Sequence, residues 1–243
     1  MKFAMQQSKI NILSTRPLQH AIIDKAAAKN IYIETISFIE TEMVLDDVLH
    51  KNIVALLSEQ LTVVFTSMNA VEAVAVHLNH ASPDWKIFCI GSTTKNLVKE
   101  YFGINSIAGT GDSASALADV IIANKEISSV TFFCGNQRRE ELPERLSQHG
   151  IELKEFVVYK TIPSSHQTSS EYDAIIFYSP SAVNSFFLTN KINQHTILFA
   201  IGNTTANEIK KHSNNKIIIA EDASKELLVD QAINYFELNP IHH

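Results

Sequence analysis

Residues 63–74 read VVFTSMNAVEAV and residues 175–186 read IIFYSPSAVNSF. Each places a continuous apolar run before a hydroxyl-rich turn and then a helical pattern, the order of a strand buried on both faces entering the N-terminus of a helix. A second pair follows the first: FCIGSTTKNLV at 88–98 and FAIGNTTANEI at 199–209 both give strand, glycine turn and helix. Phe65 and Phe177 are 112 positions apart and Gly91 and Gly202 are 111 apart, so the two matches share nearly one register. Chance resemblances would not, and the chain carries an internal duplication. A fainter third match sets INILSTRPL (10–18), with its following helix and strand, against VTFFCGNQR (130–138) with its own, Asn30 and Gly150 being 120 apart.

Outward from these repeats, strands and helices alternate along the whole chain. The strand expectations are Lys9–Ser14, Ile31–Phe38, Thr62–Thr66, Lys86–Ile90, Val130–Cys134, Glu152–Tyr159, Ala174–Tyr178, Thr196–Ile201 and Lys216–Ala220, most of them short runs of Val, Ile and Phe. Amphipathic helices are expected between them, such as Glu140–His149 (EELPERLSQH) and Ala223–Phe236 (ASKELLVDQAINYF). This pattern predicts an α/β protein with two doubly wound parallel-sheet domains. The serine-rich stretch Ile162–Asp173, with Pro163, reads as a linker, and a second crossing is expected near Phe38–Glu42, before a helix starting around Met43. The duplication alone would divide the chain near Ser128.

With 45% hydrophobic and 19% charged residues in 243, the chain has room for one large domain or two small ones, and two is the better expectation. No apolar run approaches the ~18 residues of a membrane helix. The opening MKFAMQQSKINILSTRPL shows none of the basic end, apolar stretch and cleavage site of a signal peptide, which sets the expectation of a cytosolic protein with no membrane partner. Cys89 (KIFCI) and Cys134 (TFFCG) sit in apolar runs with no cysteine or histidine at ligand spacing, so both read as buried thiols. His77 with His80 is the only close histidine pair before the terminal His242-His243, and no metal site is expected. A net charge of −6 disfavours general nucleic-acid binding. It leaves an anionic small molecule open, provided that backbone amides at helix starts supply the local positive potential.

The repeated turns fall where such a ligand would bind, since open parallel sheets bind ligands beyond the carboxyl ends of their strands. Thr66-Ser67, Gly91-Ser92-Thr93-Thr94, Gly135-Asn136, Ser179-Pro180-Ser181 and Gly202-Asn203-Thr204-Thr205 each follow an apolar strand and precede a helix. Each offers hydroxyls and free N–H groups at the positive end of a helix dipole. Helix capping alone is the competing explanation, because Ser, Thr and Asn are preferred N-caps in any α/β protein. No GxxxxGK[ST] or GxGxxG loop is present, which disfavours nucleotides. Arg138 and Arg139 open a helix, where cations are unfavourable unless an anion or the carboxylates of Glu140–Glu144 compensate them. Arg16 in STRPL either reaches a ligand or forms a salt bridge. Tyr159 ends a strand just before the linker and is either a packed hinge residue or a functional one. No Ser-His-Asp, Cys-His or paired-carboxylate arrangement is legible, so a reaction needing a strong base or nucleophile finds little support.

The ordered series ILSTRPL (12–18), VFTSMNAV (64–71), CIGSTTKNLV (89–98), CGNQRREELPERLSQHGIELKEFVVYKT (134–161), FYSPSAVNSF (177–186) and AIGNTTANEI (200–209) resembles uroporphyrinogen-III synthases over nearly the whole chain. The resemblance implies two flavodoxin-like α/β domains joined by a two-stranded connection with a cleft between them. It implies a discontinuous first domain, about 1–38 with 163–243, and an inserted second domain, 39–162. An exchange of the opening strand-helix-strand units between the two copies reconciles this division with the duplication. The implied reaction is closure of hydroxymethylbilane, an eight-carboxylate linear tetrapyrrole, into uroporphyrinogen III with inversion of ring D and loss of water. A lyase that needs no cofactor and no metal, a monomer, and a transient contact with hydroxymethylbilane synthase are implied with it. Tyr159 matches the family's tyrosine in the VYxT stretch and is the expected catalytic residue. The expected substrate contacts are Thr66, Ser67, Gly91, Thr93, Thr94, Gly135, Asn136, Arg138, Ser179, Pro180, Ser181, Gly202, Thr204 and Thr205. Met68-Asn69 stands where some members have Pro-Arg, so no basic contact is expected there. The rival reading is a two-domain α/β module that binds a small anion or senses it without catalysis.

Overall fold

The computed structural model describes residues 10–79, 81, 83–168, 171–221 and 224–239. Its contacts divide the chain into two compact units, residues 1–40 with 162–243 and residues 41–161.

The discontinuous unit is built from β1 (Ile10–Ser14), α1 (His20–Ala27) and β2 (Ile31–Thr35), then β9 (Ala174–Phe177), α7 (Pro180–Thr189), β10 (Ile197–Ala200), α8 (Asn203–Ile209), β11 (Ile217–Ile219) and α9 (Lys225–Leu238). Between these in the chain come β3 (Ile39–Met43), α2 (Asp47–Ala55), β4 (Leu61–Phe65), α3 (Met68–His77), β5 (Trp85–Ile90), α4 (Ser92–Phe102), β6 (Ile107–Gly111), α5 (Ala114–Ala123), β7 (Ser129–Gly135), α6 (Glu141–Gln148) and β8 (Glu152–Pro163). No helix among the described residues is long and apolar enough to cross a membrane.

One sheet has the order β11-β10-β9-β1-β2 and the other β3-β8-β7-β4-β5-β6. Matched through the duplication, β2-β1-β9-β10-β11 and β8-β7-β4-β5-β6 are the same arrangement, and β3 is an added edge. The two copies have exchanged their strand-helix-strand unit: β1-α1-β2 precedes its partners in one, and β7-α6-β8 follows them in the other. Asn30 (φ 58°) and Gly150 (φ 72°) end α1 and α6 in the same left-handed conformation, which Asn and Gly tolerate best. The first order is 2-1-3-4-5 in chain sequence, that of flavodoxin-like sheets, and ligands in this topology bind at the point where the order reverses. That point lies between β1 and β9 in one unit and between β7 and β4 in the other.

Continuous apolar strands are required because each sheet is covered on both faces. Ile12, Ile176 and Phe199 face a layer that holds Leu228 and Val229 of α9, while Leu13, Ile175 and Phe177 face Val183 and Phe186 of α7. In the other unit Val63, Phe65, Ile87 and Phe133 pack on Val71 and Val74, and Val64, Phe88 and Phe132 pack on Leu117 and Leu146.

Four readings of the sequence need correction. The run Ile31–Phe38 is not one strand: β2 ends at Thr35, Phe38 turns fully into the core, and β3 starts at Ile39. The Ser37 hydroxyl donates to the Ile39 carbonyl (2.7 Å) and stabilises that break. The following helix starts at Asp47, not near Met43, because the Asp46 carboxylate accepts from Leu49 N–H and caps it there. Strand β6, IAGTG, was not expected because two glycines and one bulky apolar residue give no strand signal; Gly109 lets the strand pass close to Phe88 and Val120. Strand β8 runs to Pro163, into the expected linker. Lys9, His80, Ser169, Ser170, Ala223, His242 and His243 lie outside the described residues.

Candidate functional site

Every pairing recorded among β1, β2, β9, β10 and β11 and among β4 to β8 is parallel, so the repeated turns of each unit emerge along a single edge. In the unit 41–161 this edge carries Thr66 and Ser67 after β4, Gly91 to Thr94 after β5, Gly135 to Arg138 after β7, and Tyr159 of β8. In the other unit it carries Thr15 and Arg16 after β1, Tyr178 to Ser181 after β9, and Gly202 to Thr205 after β10.

The turns fall into two kinds. Ser67 and Ser179 cap their own helices, accepting from Asn69 N–H (3.2 Å) and Ala182 N–H (3.2 Å). Pro180 occupies the first turn of α7, where its missing N–H costs nothing, and Ser181 follows it on the half-buried face. These residues perform the capping role that the sequence left as the alternative. Gly91 and Gly202 instead start helices that no side chain caps. Gly91 has φ +68°, a left-handed conformation that glycine adopts without strain, and its own N–H donates to Gly111 (3.0 Å). Helical bonding starts only at Lys95 N–H, so the amides of Ser92, Thr93 and Thr94 point outward at the positive end of the α4 dipole. In α8 bonding starts at Ala206, past the amides of Asn203, Thr204 and Thr205. The Thr94 and Thr205 side chains are buried whereas Thr93 and Thr204 are exposed, so the pair at each turn divides into an anchor and an outward hydroxyl.

At the switch point of the unit 41–161, Asn136 N–H donates to Tyr159 O (3.2 Å) and Thr161 N–H donates to the Asn136 side chain (2.8 Å). Asn136 thereby extends the β7–β8 ladder and fixes the end of β8. The Tyr159 ring lies directly over Gly135, where any Cβ would meet ring atoms. Tyr159 also packs against the core layer that holds Phe65, Phe133 and Phe156. Its hydroxyl has no hydrogen-bond partner among the described residues. Arg138 bridges Glu155 (2.8 Å) and Glu140 (2.7 Å), and hydrogen bonds to both hold its guanidinium pKa above the ordinary arginine value. The ion-pair alternative therefore describes Arg138, with Glu155 as the carboxylate that spacing could not reveal.

The switch point of the other unit holds a group that the sequence only half showed. Ser14 Oγ donates to the Arg16 carbonyl (2.8 Å) and lies 3.3 Å from the Tyr178 hydroxyl, and the Arg16 guanidinium sits 5.4 Å from the Tyr178 ring centroid. Burial pushes the Tyr178 phenol up to about 12, against the opposing pull of Ser14 and Arg16. Lys225, the first residue of α9, has its pKa lowered by burial and by the Arg16 charge. Tyr178 was missed although it stands inside a repeated motif, at the position of Thr66. Lys225 carried no motif at all.

A family model described as uroporphyrinogen-III synthase HemD matches residues 24–230. The chain belongs to the uroporphyrinogen-III synthase family. Uroporphyrinogen-III synthetase from Helicobacter pylori has a similar fold at TM-score 0.64 and 18% identity, covering 93% of this chain and 99% of that one. A mutant uroporphyrinogen III synthase from Thermus thermophilus gives TM-score 0.61 at 14% identity, covering 94% and 99%. Uroporphyrinogen-III synthase family membership makes this an enzyme of haem biosynthesis with a tetrapyrrole substrate. No group of three or more His, Cys, Asp or Glu side chains among the described residues is placed to hold a metal ion.

Proposed function

We propose that the protein is a lyase that closes hydroxymethylbilane into uroporphyrinogen III with release of one water, and that the carboxyl-edge turns of each unit bind the carboxylates of this substrate. The observation that supports this most is the pair of uncapped glycine-turn helices, α4 and α8, in a chain whose family acts on a tetrapyrrole. Outward amides hold carboxylates without basic side chains, which suits a protein of net charge −6. Gly91, Thr93, Thr94, Gly202, Thr204 and Thr205 form this amide set, and Thr66, Ser67, Ser179, Pro180 and Ser181 shape the turns beside it.

In the proposed reaction, electron release from the terminal pyrrole expels the hydroxymethyl oxygen as water and leaves an azafulvene cation. Left in solution, this species closes to the symmetric type I ring. The enzyme holds the chain so that the substituted carbon of ring D is attacked, giving a spirocyclic pyrrolenine that fragments and recloses with ring D inverted. Positioning accounts for most of this task. The Tyr159 hydroxyl donates a hydrogen bond to the departing oxygen. Gly135 and Asn136 hold the Tyr159 ring and backbone in place, and Arg138 braces the same turn through Glu155.

The test supplies hydroxymethylbilane enzymatically and resolves the oxidised porphyrin isomers. Excess type III over the protein-free reaction supports the proposal, and type I alone leaves a binding or sensor module. Tyr159→Phe should slow type III formation about tenfold, the order expected for one lost hydrogen bond, at unchanged melting temperature. Undiminished turnover would remove Tyr159 from the chemistry.

A further inference from the structure

The switch point between β1 and β9 carries two cations, Arg16 and Lys225, that form no ion pair with any described carboxylate. Arg16 is half-buried and Lys225 starts α9, a position where the helix dipole already disfavours a positive charge. Neither forms a salt bridge among the described residues, in contrast to Arg138 and Arg145 of the other unit. Helix α9 packs on β9 and β10, and its Leu228 and Val229 share a core layer with Tyr178, which brings the Lys225 end of the helix beside the Arg16–Tyr178 pair. Among the described residues Glu226 is the neighbouring carboxylate; its charge acts to raise the Lys225 pKa, but it accepts from Ser224 Oγ (3.4 Å) and forms no ion pair with either cation. The Arg16 guanidinium is held over the Tyr178 ring, 5.4 Å from its centroid, and the planar N–H fork of an arginine suits a carboxylate.

We propose that Arg16 and Lys225 together grip one carboxylate of the substrate, with Tyr178 and Ser14 holding Arg16 in position. This rests on the proposed function for the identity of the ligand. It distinguishes this spot from the amide-lined turns: one side chain of the tetrapyrrole is held by full charges, and that contact fixes the register of the chain along the edge. Lys225 also feels the Arg16 charge, a cost that an arriving carboxylate would relieve.

The experiment measures KM and kcat for hydroxymethylbilane and, by calorimetry under reducing conditions, the Kd of uroporphyrinogen III. The proteins are wild type, Arg16→Gln, Lys225→Gln and, as a charge control remote from the edge, Lys191→Gln. Each site variant should weaken uroporphyrinogen III binding about tenfold, the order of one charge-assisted hydrogen bond. The loss in turnover should fall on KM, and both variants should flatten the salt dependence of binding. Lys225→Arg should restore it, whereas Lys191→Gln should match wild type. Wild-type affinity in both site variants overturns the inference, as does equal weakening by Lys191→Gln. If wild type binds uroporphyrinogen III without turning over hydroxymethylbilane, the function fails while the variants still decide the subsite. No binding by wild type overturns both.

Discussion

Gly135→Ala tests whether catalysis depends on where Tyr159 is held. A Cβ on Gly135 would lie 2.5 Å from Tyr159 Cζ, 2.6 Å from Cε2 and 2.8 Å from the hydroxyl oxygen. Carbon atoms in contact prefer separations of about 3.5 Å or more, so the ring must withdraw by about 1 Å. Gly135 is not among the positive-φ glycines, so alanine fits the backbone and the displaced ring is the principal effect. A shift of about 1 Å in a positioned group costs on the order of 100-fold in rate. The added methyl should lower stability by about 1–3 kcal/mol, leaving a folded protein to assay. Type III formation from enzymatically supplied hydroxymethylbilane, measured beside Gly150→Ala, gives the readout. Gly150 has φ +72° and open space around its missing Cβ, so that control loses stability through backbone strain and leaves Tyr159 untouched. A folded Gly135→Ala protein with wild-type type III turnover would refute the positional role of Tyr159.

Two further predictions concern stability. Phe133 stacks on Phe65 (5.5 Å) and Trp85 (5.7 Å) and touches Phe156 (5.5 Å), so Phe133→Ala should cost about 3–5 kcal/mol in a chemical denaturation series. The Cys134 thiol is pushed up to about 11, first by burial and then by Glu155, and the Tyr178 phenol to about 12. Both folded pKa values exceed their reference values of 9.0 and 10.0, so this contribution to stability is complete below pH 9 and is lost as pH rises through 11 and 12. Melting temperature should fall steeply in that alkaline window, and Cys134 should resist alkylation at neutral pH until the protein unfolds.

Architecture was legible because a buried parallel sheet writes itself as continuous Val, Ile and Phe runs, and the duplication supplied each run with a counterpart. Strand β6 was the failure, yet its duplicate β11 was recognised, and carrying Lys216–Ala220 back across the repeat by 111 positions gives 105–109, which overlaps β6. Tertiary context decided the break at Phe38, since one large side chain turned into a core is invisible to a β pattern. At the site, the turns were found as turns, but spacing could not distinguish Ser67 and Ser179, which satisfy their own helices, from Gly91 and Gly202, which leave amides open. It could not show Glu155 beside Arg138 or Lys225 beside Arg16, because those contacts join distant segments.

The sorting of the turns explains why such a site leaves so faint a mark on the sequence. An amide at a helix start exists whatever residue carries it, so the proposed recognition by Ser92 to Thr94 and Asn203 to Thr205 would constrain the glycine before each helix and the small buried threonine within it more than the exposed positions. A fold can then persist at 14–18% identity while the outward side chains change. The proposed charged contacts are the exception, since Arg16 and Lys225 would act through their side chains and can be lost by one substitution each. If the amides supply most of the affinity, amide-lined turns should tolerate Thr93→Ala and Thr204→Ala with less than about a threefold change in KM, a few tenths of a kcal/mol. Larger losses would shift recognition from the backbone to the hydroxyls and undo this account of the divergence.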